Sequence, residues 1–468
     1  MSNQHQISPS RLSIELICAG LLVLLAVAGL LVVRAGRTGV SDETMKNVAR
    51  LARPASTCGP IYDRRGVPLV WPEEKPKRRG FAPEIGNTGT LVGADVVVGG
   101  LIYQQRTCDV VEGGRWDRFL GDPIWSAGPA PAVRATVDLE LCQSLGQILE
   151  GTGMPGCIIV VDQHGDVRGY VQEPSLRLAS GEGDRGDPQV HGTASQPVGP
   201  AYPAWQWEIP PGSSLKPFIA GVALEEGVSL PSAVCTGVVH RWGRPLRDWG
   251  CHGQVGLDRA LALSCDTYFY LSSADARLTG KALATYADLC GLSQPTMRYI
   301  RPARSDLAAL TSAPADTERR ALAFIGQSIT CSPFALLSAY AALLWDRVPT
   351  WRFIDRIGKA DLPPELRKSP FTEPVRNAVR GALNGAVRYG TARPLRSVRV
   401  PVAAKTGTAE TGGNRRISWC VAEFGESPEH RYLVVTVLFA GERRRPSAVQ
   451  VAPAAVAAVL REERTSRG

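Results

Sequence analysis

The chain reads PGSSLKP from Pro211 to Pro217, and this stretch decides how the rest of the sequence is interpreted. Ser213 and Lys216 are three residues apart at the start of an apolar helical pattern, so one turn of helix places both side chains on the same face. Backbone N–H groups at a helix start are free to stabilise a developing oxyanion, and a desolvated lysine can remove a proton from a serine. Taken alone the spacing is weak evidence, because the first turn of an ordinary surface helix would match it equally well.

A second lysine segment, KTGT, runs from Lys405 to Thr408 on a predicted strand over residues 402–410. The chain has only eight lysines among 53 basic residues, so an ordinary edge strand does not account for a lysine here. Lys405 supplies a second cation, and Thr406 and Thr408 supply hydroxyl groups for a carboxylate. Gly407 lets a ligand approach the backbone closely. The segment therefore indicates a binding site.

A third element, Ser264-Cys265-Asp266, lies between the other two and follows an apolar helical pattern. In isolation it would be interpreted as a helix cap or a turn. If its loop folds back, Ser264 can transfer a proton near Lys216.

The order Ser-x-x-Lys, Ser-x-Asp, Lys-Thr-Gly resembles the transpeptidase domain of class B penicillin-binding proteins. Further stretches resemble landmarks of that domain, namely Gly326–Ser328, Tyr340–Leu343, Tyr389–Ala392 and the region from Cys235 to Gly253. Upstream, Ile61–Leu69 reads as strand, turn and strand and resembles the start of the extracytoplasmic pedestal of these proteins. The resemblance covers most of the chain beyond residue 55.

The resemblance implies a peptidoglycan D,D-transpeptidase that needs no metal or cofactor and is acylated by β-lactams. Ser213 would attack the penultimate D-Ala carbonyl of a stem peptide, and Lys216 would take its proton. Ser264, with Lys216 and Lys405, would pass this proton to the leaving amine. A membrane glycosyltransferase is the expected partner.

The family usually has asparagine where this chain has Asp266. Aspartate only accepts hydrogen bonds when ionised, and pairing with Lys216 would weaken that lysine as a base. Two alternatives therefore stay open: a catalytically weak or silent scaffold in a cell-wall synthesis complex, and a D,D-carboxypeptidase or β-lactamase. Hydrolysis would need a base for water, and Asp266 is the only candidate.

The N-terminal region predicts a membrane anchor. Residues Leu16–Val33 are all apolar or small, which is long enough for a spanning helix. We expect a cytoplasmic tail at 1–12, an anchor at 13–33, a pedestal at 34–150 and a transpeptidase domain at 151–468. The arginines that follow the anchor favour a cytoplasmic C-terminal part, whereas the transpeptidase chemistry requires an extracytoplasmic one, and the chemistry decides our prediction.

The remaining composition excludes some classes and predicts the fold. The net charge of +9 comes from scattered arginines without a nucleic-acid-binding motif, so nucleic acid is not an expected partner. The pattern of strands, then short helices to about residue 395, then strands predicts an α+β fold with one sheet built from both ends of the domain. Without CxxC pairs or clustered histidines, no zinc site is predicted, and Cys235 and Cys251 form the best candidate disulfide.

Overall fold

The computed structural model describes residues 61–72, 79–81, 132–173, 203–298, 300–411, 415–440 and 446–467. Within them the strands are β1 (Ile61–Tyr62), β2 (Pro68–Pro72), β3 (Arg79–Phe81), β4 (Val133–Ala135), β5 (Gly156–Asp162), β6 (Val167–Glu173), β7 (Ala233–Cys235), β8 (Val238–Arg241), β9 (Arg244–Arg247), β10 (Gly253–Val255), β11 (Arg347–Pro349), β12 (Ile354–Ile357), β13 (Ala360–Asp361), β14 (Leu366–Lys368), β15 (Val402–Glu410), β16 (Arg416–Ser427) and β17 (His430–Ala440). The α-helices are α1 (Leu139–Glu150), α2 (Lys216–Glu225), α3 (Leu257–Ala262), α4 (Asp266–Ser272), α5 (Gly280–Cys290), α6 (Ala308–Thr311), α7 (Glu318–Phe324), α8 (Pro333–Leu344), α9 (Glu373–Arg388) and α10 (Ala448–Arg467). Single 3₁₀ turns occupy Ala204–Gln206, Gly212–Leu215 and Arg393–Ser397.

The main sheet is antiparallel and has the order β15-β16-β17-β5-β6. Its strands come from two distant parts of the chain, which confirms the prediction of one sheet built from both ends of the domain. Every residue of β5 is buried, as its continuous apolar sequence predicts for a central strand. The bounds of β15 match the predicted strand over residues 402–410. Helices cover this sheet, so the predicted mixed arrangement of antiparallel sheet and helices is confirmed.

A second sheet has the order β13-β12-β4-β1-β2-β3 and pairs segments that are far apart in sequence. Its first strands form the predicted strand, turn and strand. The turn is fastened to the main body by Arg65, which donates to Asp138 at 2.5 Å and to Glu462 at 2.8 Å. Asp138 also caps α1, as predicted, by accepting from the N–H of Leu141. These contacts join the start of the described chain to its last helix.

The region between the two ends of the main sheet is mostly helical, with α8 at its centre. All twelve residues of α8 are buried, and Ser332 caps its first turn. Short strand pairs interrupt the helices, including β7 with β10 and β8 with β9. The prediction of helices alone up to residue 395 was therefore wrong at these hairpins, because three- and four-residue strands carry too little periodicity to register in the sequence.

Among the residues that the structure describes, no helix is long and apolar enough to cross a membrane. The predicted tail at 1–12 and anchor at 13–33 lie outside the described residues, as does most of the predicted pedestal at 34–150. These domain boundaries stay predictions.

Candidate active site

Ser213 lies in the 3₁₀ turn that leads directly into α2, where the sequence predicted a helix start. Gly212 adopts a φ of 54°, and a Cβ there would come within 2.4 Å of the carbonyl oxygen of Thr408. The Gly212 N–H donates to the carbonyl of Gly326 at 3.0 Å. The Tyr340 hydroxyl donates to the carbonyl of Ser214 at 2.8 Å. Three separate segments thus fix the backbone around Ser213 against the end of β15.

Lys216 and Asp266 form a close ion pair that is in contact with Ser213. Lys216 Nζ donates to Asp266 Oδ1 at 2.5 Å and to the carbonyl oxygen of Ser264 at 2.8 Å, and its side chain is fully buried. Asp266 Oδ1 also accepts from Ser213 Oγ at 3.2 Å. One carboxylate oxygen therefore contacts both the serine hydroxyl and the lysine ammonium. The sequence analysis had identified this pairing as the consequence of aspartate at this position.

Ser264 and Lys405 form the second pair of the site. Lys405 Nζ donates to Ser264 Oγ at 2.7 Å and to the carbonyl of Thr406 at 2.8 Å. The loop does fold back towards Lys216 as predicted, but the Ser264 hydroxyl pairs with Lys405, and only its carbonyl meets Lys216. Ser264 has a φ of 55°, a left-handed conformation that costs a non-glycine residue about 1 kcal/mol or more.

Burial and the nearby positive charge of Lys216 hold the pKa of Lys405 well below its usual value. The carboxylate of Asp266 acts in the opposite direction but does not offset them. The low pKa favours the neutral amine of Lys405, and a negatively charged ligand nearby would favour its protonated form.

The threonines of β15 border the open side of the site. Thr406 Oγ1 donates to Thr391 Oγ1 at 2.7 Å, while Thr408 is exposed. A Cβ on Gly407 would lie 2.7 Å from the carbonyl of Pro211 and 2.9 Å from a second backbone atom. Glycine at this position is required by close packing of the strand on the Ser213 turn, which is a different reason from the ligand approach that the sequence suggested.

The structure therefore brings together Ser213, Lys216, Ser264, Asp266, Lys405, Thr406, Gly407 and Thr408, all of which the sequence analysis selected. It adds Thr391 and Tyr340, which lay in the family-like stretches but had received no role. Thr391 and Tyr340 each contact a residue that is distant in the sequence, and no local sequence pattern predicts such a contact.

The predicted disulfide between Cys235 and Cys251 is wrong, because both residues are free thiols in the structure. Cys251 is exposed and donates to the carbonyl of Cys235 at 3.3 Å, whereas the Cys235 thiol is buried. The Cys235 thiol instead lies 3.5 Å from Asp248 Oδ2 and 3.4 Å from His252 Nδ1, and the Cys265 thiol lies close to the same group of atoms. These four residues are the described ones whose ligand atoms could hold a metal ion. The sequence analysis missed them because it searched for CxxC pairs and clustered histidines.

The chain has clear relatives. The family model of the penicillin binding protein transpeptidase domain matches residues 156–460, which is more than half of the chain. A peptidoglycan D,D-transpeptidase MrdA of Acinetobacter baumannii is 26% identical over 288 residues, covering 55% of this chain and 42% of that protein. The chain thus spans less than half the length of this curated relative.

Solved structures share the fold. Penicillin-binding protein A from M. tuberculosis, in its ceftriaxone acyl-enzyme complex, is 18% identical with a TM-score of 0.67, covering 87% of this chain and 99% of that one. A chain from a structure of a peptidoglycan synthase complex that coordinates polymerization and crosslinking is 23% identical with a TM-score of 0.57, covering 71% of this chain and 62% of that one. The fold, the family match and the arrangement of the three motifs agree, and the chain belongs to the penicillin-binding protein transpeptidase family.

Proposed function

We propose that this protein is a peptidoglycan D,D-transpeptidase that cross-links stem peptides through an acyl-enzyme on Ser213. One observation carries the proposal most directly: Ser213 Oγ and Lys216 Nζ share Asp266 Oδ1, while Lys405 Nζ holds Ser264 Oγ beside them. A nucleophile, a proton acceptor and a second proton path thus meet at one partly buried point. The match to the transpeptidase family and the curated D,D-transpeptidase relative support the same activity.

In the first half-reaction, Ser213 Oγ attacks the carbonyl carbon of the penultimate D-Ala. Its proton leaves along the hydrogen bond to the Lys216–Asp266 pair. The C–N bond to the terminal D-Ala then breaks, and the leaving amine takes a proton through Ser264, which Lys405 hydrogen-bonds. Terminal D-Ala departs and an ester joins the donor peptide to Ser213.

In the second half-reaction, the amino group of a neighbouring stem peptide attacks this ester and loses a proton. The C–O bond to Ser213 breaks, an amide cross-link forms, and the serine hydroxyl recovers its proton. A β-lactam enters the first half-reaction in the same way, but its amine stays attached after the ring opens. Ser213 is then blocked as a stable ester.

Two groups of donors account for substrate orientation. The backbone N–H groups of Ser213 and Thr408 bind the developing oxyanion, the role that the resemblance to the family implies for them. Thr406 and Thr408 bind the carboxylate of the terminal D-Ala, and this anion favours the protonated form of nearby Lys405. Substrate binding and the protonation of Lys405 are thereby coupled.

The cellular setting is part of the proposal. The apolar run at 16–33 anchors the chain in the cell membrane with the transpeptidase domain on the extracytoplasmic side, where peptidoglycan is cross-linked. A membrane glycosyltransferase supplies the glycan strands. The similarity to a chain of a peptidoglycan synthase complex supports such a partner.

The test uses the purified full chain in detergent with a fluorescent penicillin. We expect labelling that persists over hours and is absent in Ser213→Ala. A donor peptide ending in D-Ala-D-Ala should release D-Ala, and an added acceptor amine should appear in an amide product, as followed by mass spectrometry. Asp288→Asn, an exposed change in α5, is the matched control that leaves both signals intact.

Three outcomes would contradict the proposal. Rapid loss of the label, with release of hydrolysed peptide only, would indicate a carboxypeptidase or β-lactamase. No labelling and no release of D-Ala by a folded protein would indicate a silent scaffold. Labelling that survives in Ser213→Ala would place the nucleophile elsewhere.

A further inference from the structure

A row of exposed arginines follows α9 and leads into β15. Residues 374–409 contain no aspartate or glutamate, although the chain has 44 acidic residues among 468. We call the four exposed arginines of this stretch the arginine strip: Arg388, Arg393, Arg396 and Arg399. None of the four forms an ion pair or donates a side-chain hydrogen bond to any other residue that the structure describes. The strip is therefore a surface of one charge sign that no neighbouring carboxylate neutralises.

Local structure explains only part of this charge. Arg388 lies in the last turn of α9, where the helix dipole favours a cation. The two partly buried arginines earlier in α9, Arg376 and Arg380, each donate to a neighbouring group. The last three arginines of the strip lie beyond the helix and have neither of these roles, so their charge is available to a ligand.

The backbone that carries the strip is held in place by the main body. Leu395 is buried, and its N–H donates to the carbonyl of Ala392 at 3.0 Å. The Ala392 N–H donates in turn to a carbonyl of α9 at 2.9 Å. A Cβ on Gly390 would overlap the carbonyl of Ala262, so this segment packs directly on the end of α3. A fixed backbone lowers the entropy cost of ordering these arginines around a ligand.

The strip begins at the edge of the active site. Arg393 is two residues beyond Thr391, whose hydroxyl lies 2.7 Å from that of Thr406. From Thr391 the chain has to reach Val402, where β15 begins. The four residues of strand from Val402 to Thr406 span about 13 Å, so the strip follows the first half of β15 over about this distance.

The inner end of the strip lies on the side of the site from which the second substrate arrives. In the proposed function, Thr406 and Thr408 bind the carboxylate of the terminal D-Ala, which leaves before the acceptor enters. The acceptor amine attacks the carbonyl carbon that the leaving amine has vacated, so it approaches from the same side. The body of the acceptor then lies beside Thr406, where the strip begins.

Charge and length both suit an acidic stem peptide. A stem peptide whose γ-linked glutamate and diamino diacid keep free carboxylates presents several negative charges in one row. An extended peptide advances about 3.3–3.6 Å per residue, so four residues span about 13–14 Å, which matches the length of the strip. Each guanidinium can bind one carboxylate through two parallel N–H donors.

An anionic membrane surface is the competing partner, because basic side chains also bind acidic lipid headgroups. A membrane is a broad plane and would contact basic groups spread over a flat face. The strip is instead a single row whose inner end is at Thr406. This geometry favours an extended peptide.

We propose that the arginine strip binds the free carboxylates of the acceptor stem peptide and so directs its amine to the acyl-enzyme. The acceptor role rests on the proposed function. The strip gives the enzyme a preference for acidic over amidated stem peptides, and it favours transfer to an amine over hydrolysis.

Binding is the first test, with the full chain in detergent. The probe is a fluorescent acidic tripeptide that ends at the diamino acid and, without a D-Ala-D-Ala end, cannot acylate Ser213. We expect fluorescence anisotropy to show binding that weakens as the salt concentration rises. Amidation of the carboxylates, or the double variant Arg393→Gln with Arg396→Gln, should weaken it by about tenfold.

Two matched variants control this measurement. Arg319→Gln removes an exposed arginine of α7, outside the strip, and should bind the tripeptide like the wild type. The double variant Arg393→Lys with Arg396→Lys keeps the charge and should recover most of the binding. Because all of these positions are exposed, we expect equal Tm values, which shows that any loss of binding is not a loss of folding.

Turnover is the second test, and it locates the effect in the second half-reaction. With a D-Ala-D-Ala donor and the acidic tripeptide as acceptor, the double glutamine variant should raise the KM for the acceptor by about tenfold. It should also shift the products from amide towards hydrolysed donor. With the amidated acceptor, the wild type should already show the high KM, and the variant should add little, because the interaction is missing in both.

Several results would overturn the inference. These are equal affinity for the acidic and amidated tripeptides, or equal losses in the double glutamine variant and in Arg319→Gln. A double glutamine variant that loses binding to fluorescent phosphatidylglycerol, but not to the tripeptide, would assign the strip to the membrane surface. Strip-dependent tripeptide binding without any amide product in the wild type would contradict the proposed function and the acceptor role, while supporting carboxylate binding by the strip. Failure of either proposal can therefore be distinguished.

Discussion

Replacing Asp266 with asparagine tests how the ion pair beneath Ser213 controls its reactivity. Asp266 Oδ1 accepts a hydrogen bond from Lys216 Nζ at 2.5 Å, so the nitrogen that would take the serine proton is held in an ion pair. A protonated lysine cannot remove the serine proton. The amide oxygen of asparagine can still accept from both partners, so the substitution removes the charge while keeping the hydrogen bonds. We expect faster acylation in Asp266→Asn.

The size of the effect follows from the geometry. Two unit charges about 4 Å apart attract by about 4 kcal/mol at an effective dielectric constant of about 20. The Asp266 side chain is 25% exposed, and solvent screening leaves roughly half of this attraction. Asparagine therefore removes about 2 kcal/mol of attraction between residue 266 and Lys216. Part of this effect is offset by a weaker hydrogen bond with Ser213, and we expect an increase in the acylation rate of about tenfold.

The measurement is the second-order rate constant for acylation by a fluorescent penicillin, determined by stopped flow over a range of pH. The rate for Asp266→Asn should exceed that of the wild type throughout this range. Asp288→Asn, which removes an exposed charge in α5, should behave like the wild type.

A rate in Asp266→Asn that is equal to or lower than that of the wild type would refute this reasoning. It would mean that the Asp266 carboxylate itself accepts the Ser213 proton. Lys216 would then serve to hold that carboxylate in place.

Three further predictions concern stability. The pKa of Lys405 is lowered by burial and by Lys216, so the folded protein binds fewer protons than the unfolded chain between that lowered pKa and about 10.4. The free energy of unfolding therefore increases as the pH rises across this window and decreases as the pH falls. Lys405→Met should flatten this pH dependence in urea titrations, and an unchanged pH dependence would contradict the prediction. Gly407→Ala places a Cβ 2.7 Å from the carbonyl of Pro211, so we expect a lower Tm and weaker penicillin labelling, whereas equal values would show that the strand can shift. Tyr340→Phe leaves the buried carbonyl of Ser214 without its donor and should cost about 1–2 kcal/mol in chemical denaturation, a cost that would be absent if water replaces the hydroxyl.

Local patterns in the sequence predicted the elements that bear the site. The strand character of residues 402–410 predicted the bounds of β15, and the continuous apolar run of β5 predicted a buried strand. The spacing of Ser213 and Lys216 required only one helical turn to bring them together. These features depend on residues that are close in the chain, so the sequence contains them directly.

Long-range pairings were harder to predict. The sequence suggested a disulfide for Cys235 and Cys251, yet the Cys235 thiol faces His252 and Asp248 across the β7–β10 pair. The direction of a side chain at the end of a three-residue strand depends on how that strand pairs with its neighbouring strand. The register of this pairing is set by the whole fold. No spacing rule based on cysteine pairs could have found a cluster that combines cysteine, aspartate and histidine side chains.

The chemistry of this protein was therefore determined at two levels. The sequence by itself determined the three motifs, their order and the unusual aspartate at position 266. Only the tertiary structure decided that Asp266 accepts hydrogen bonds from both Ser213 and Lys216. It also decided that the Ser264 hydroxyl accepts a hydrogen bond from Lys405, and that burial lowers the pKa of Lys405. The physical reason is that hydrogen-bond partners and desolvation depend on atoms brought together from distant segments, whereas motif spacing and helix or strand periodicity depend on neighbours along the chain.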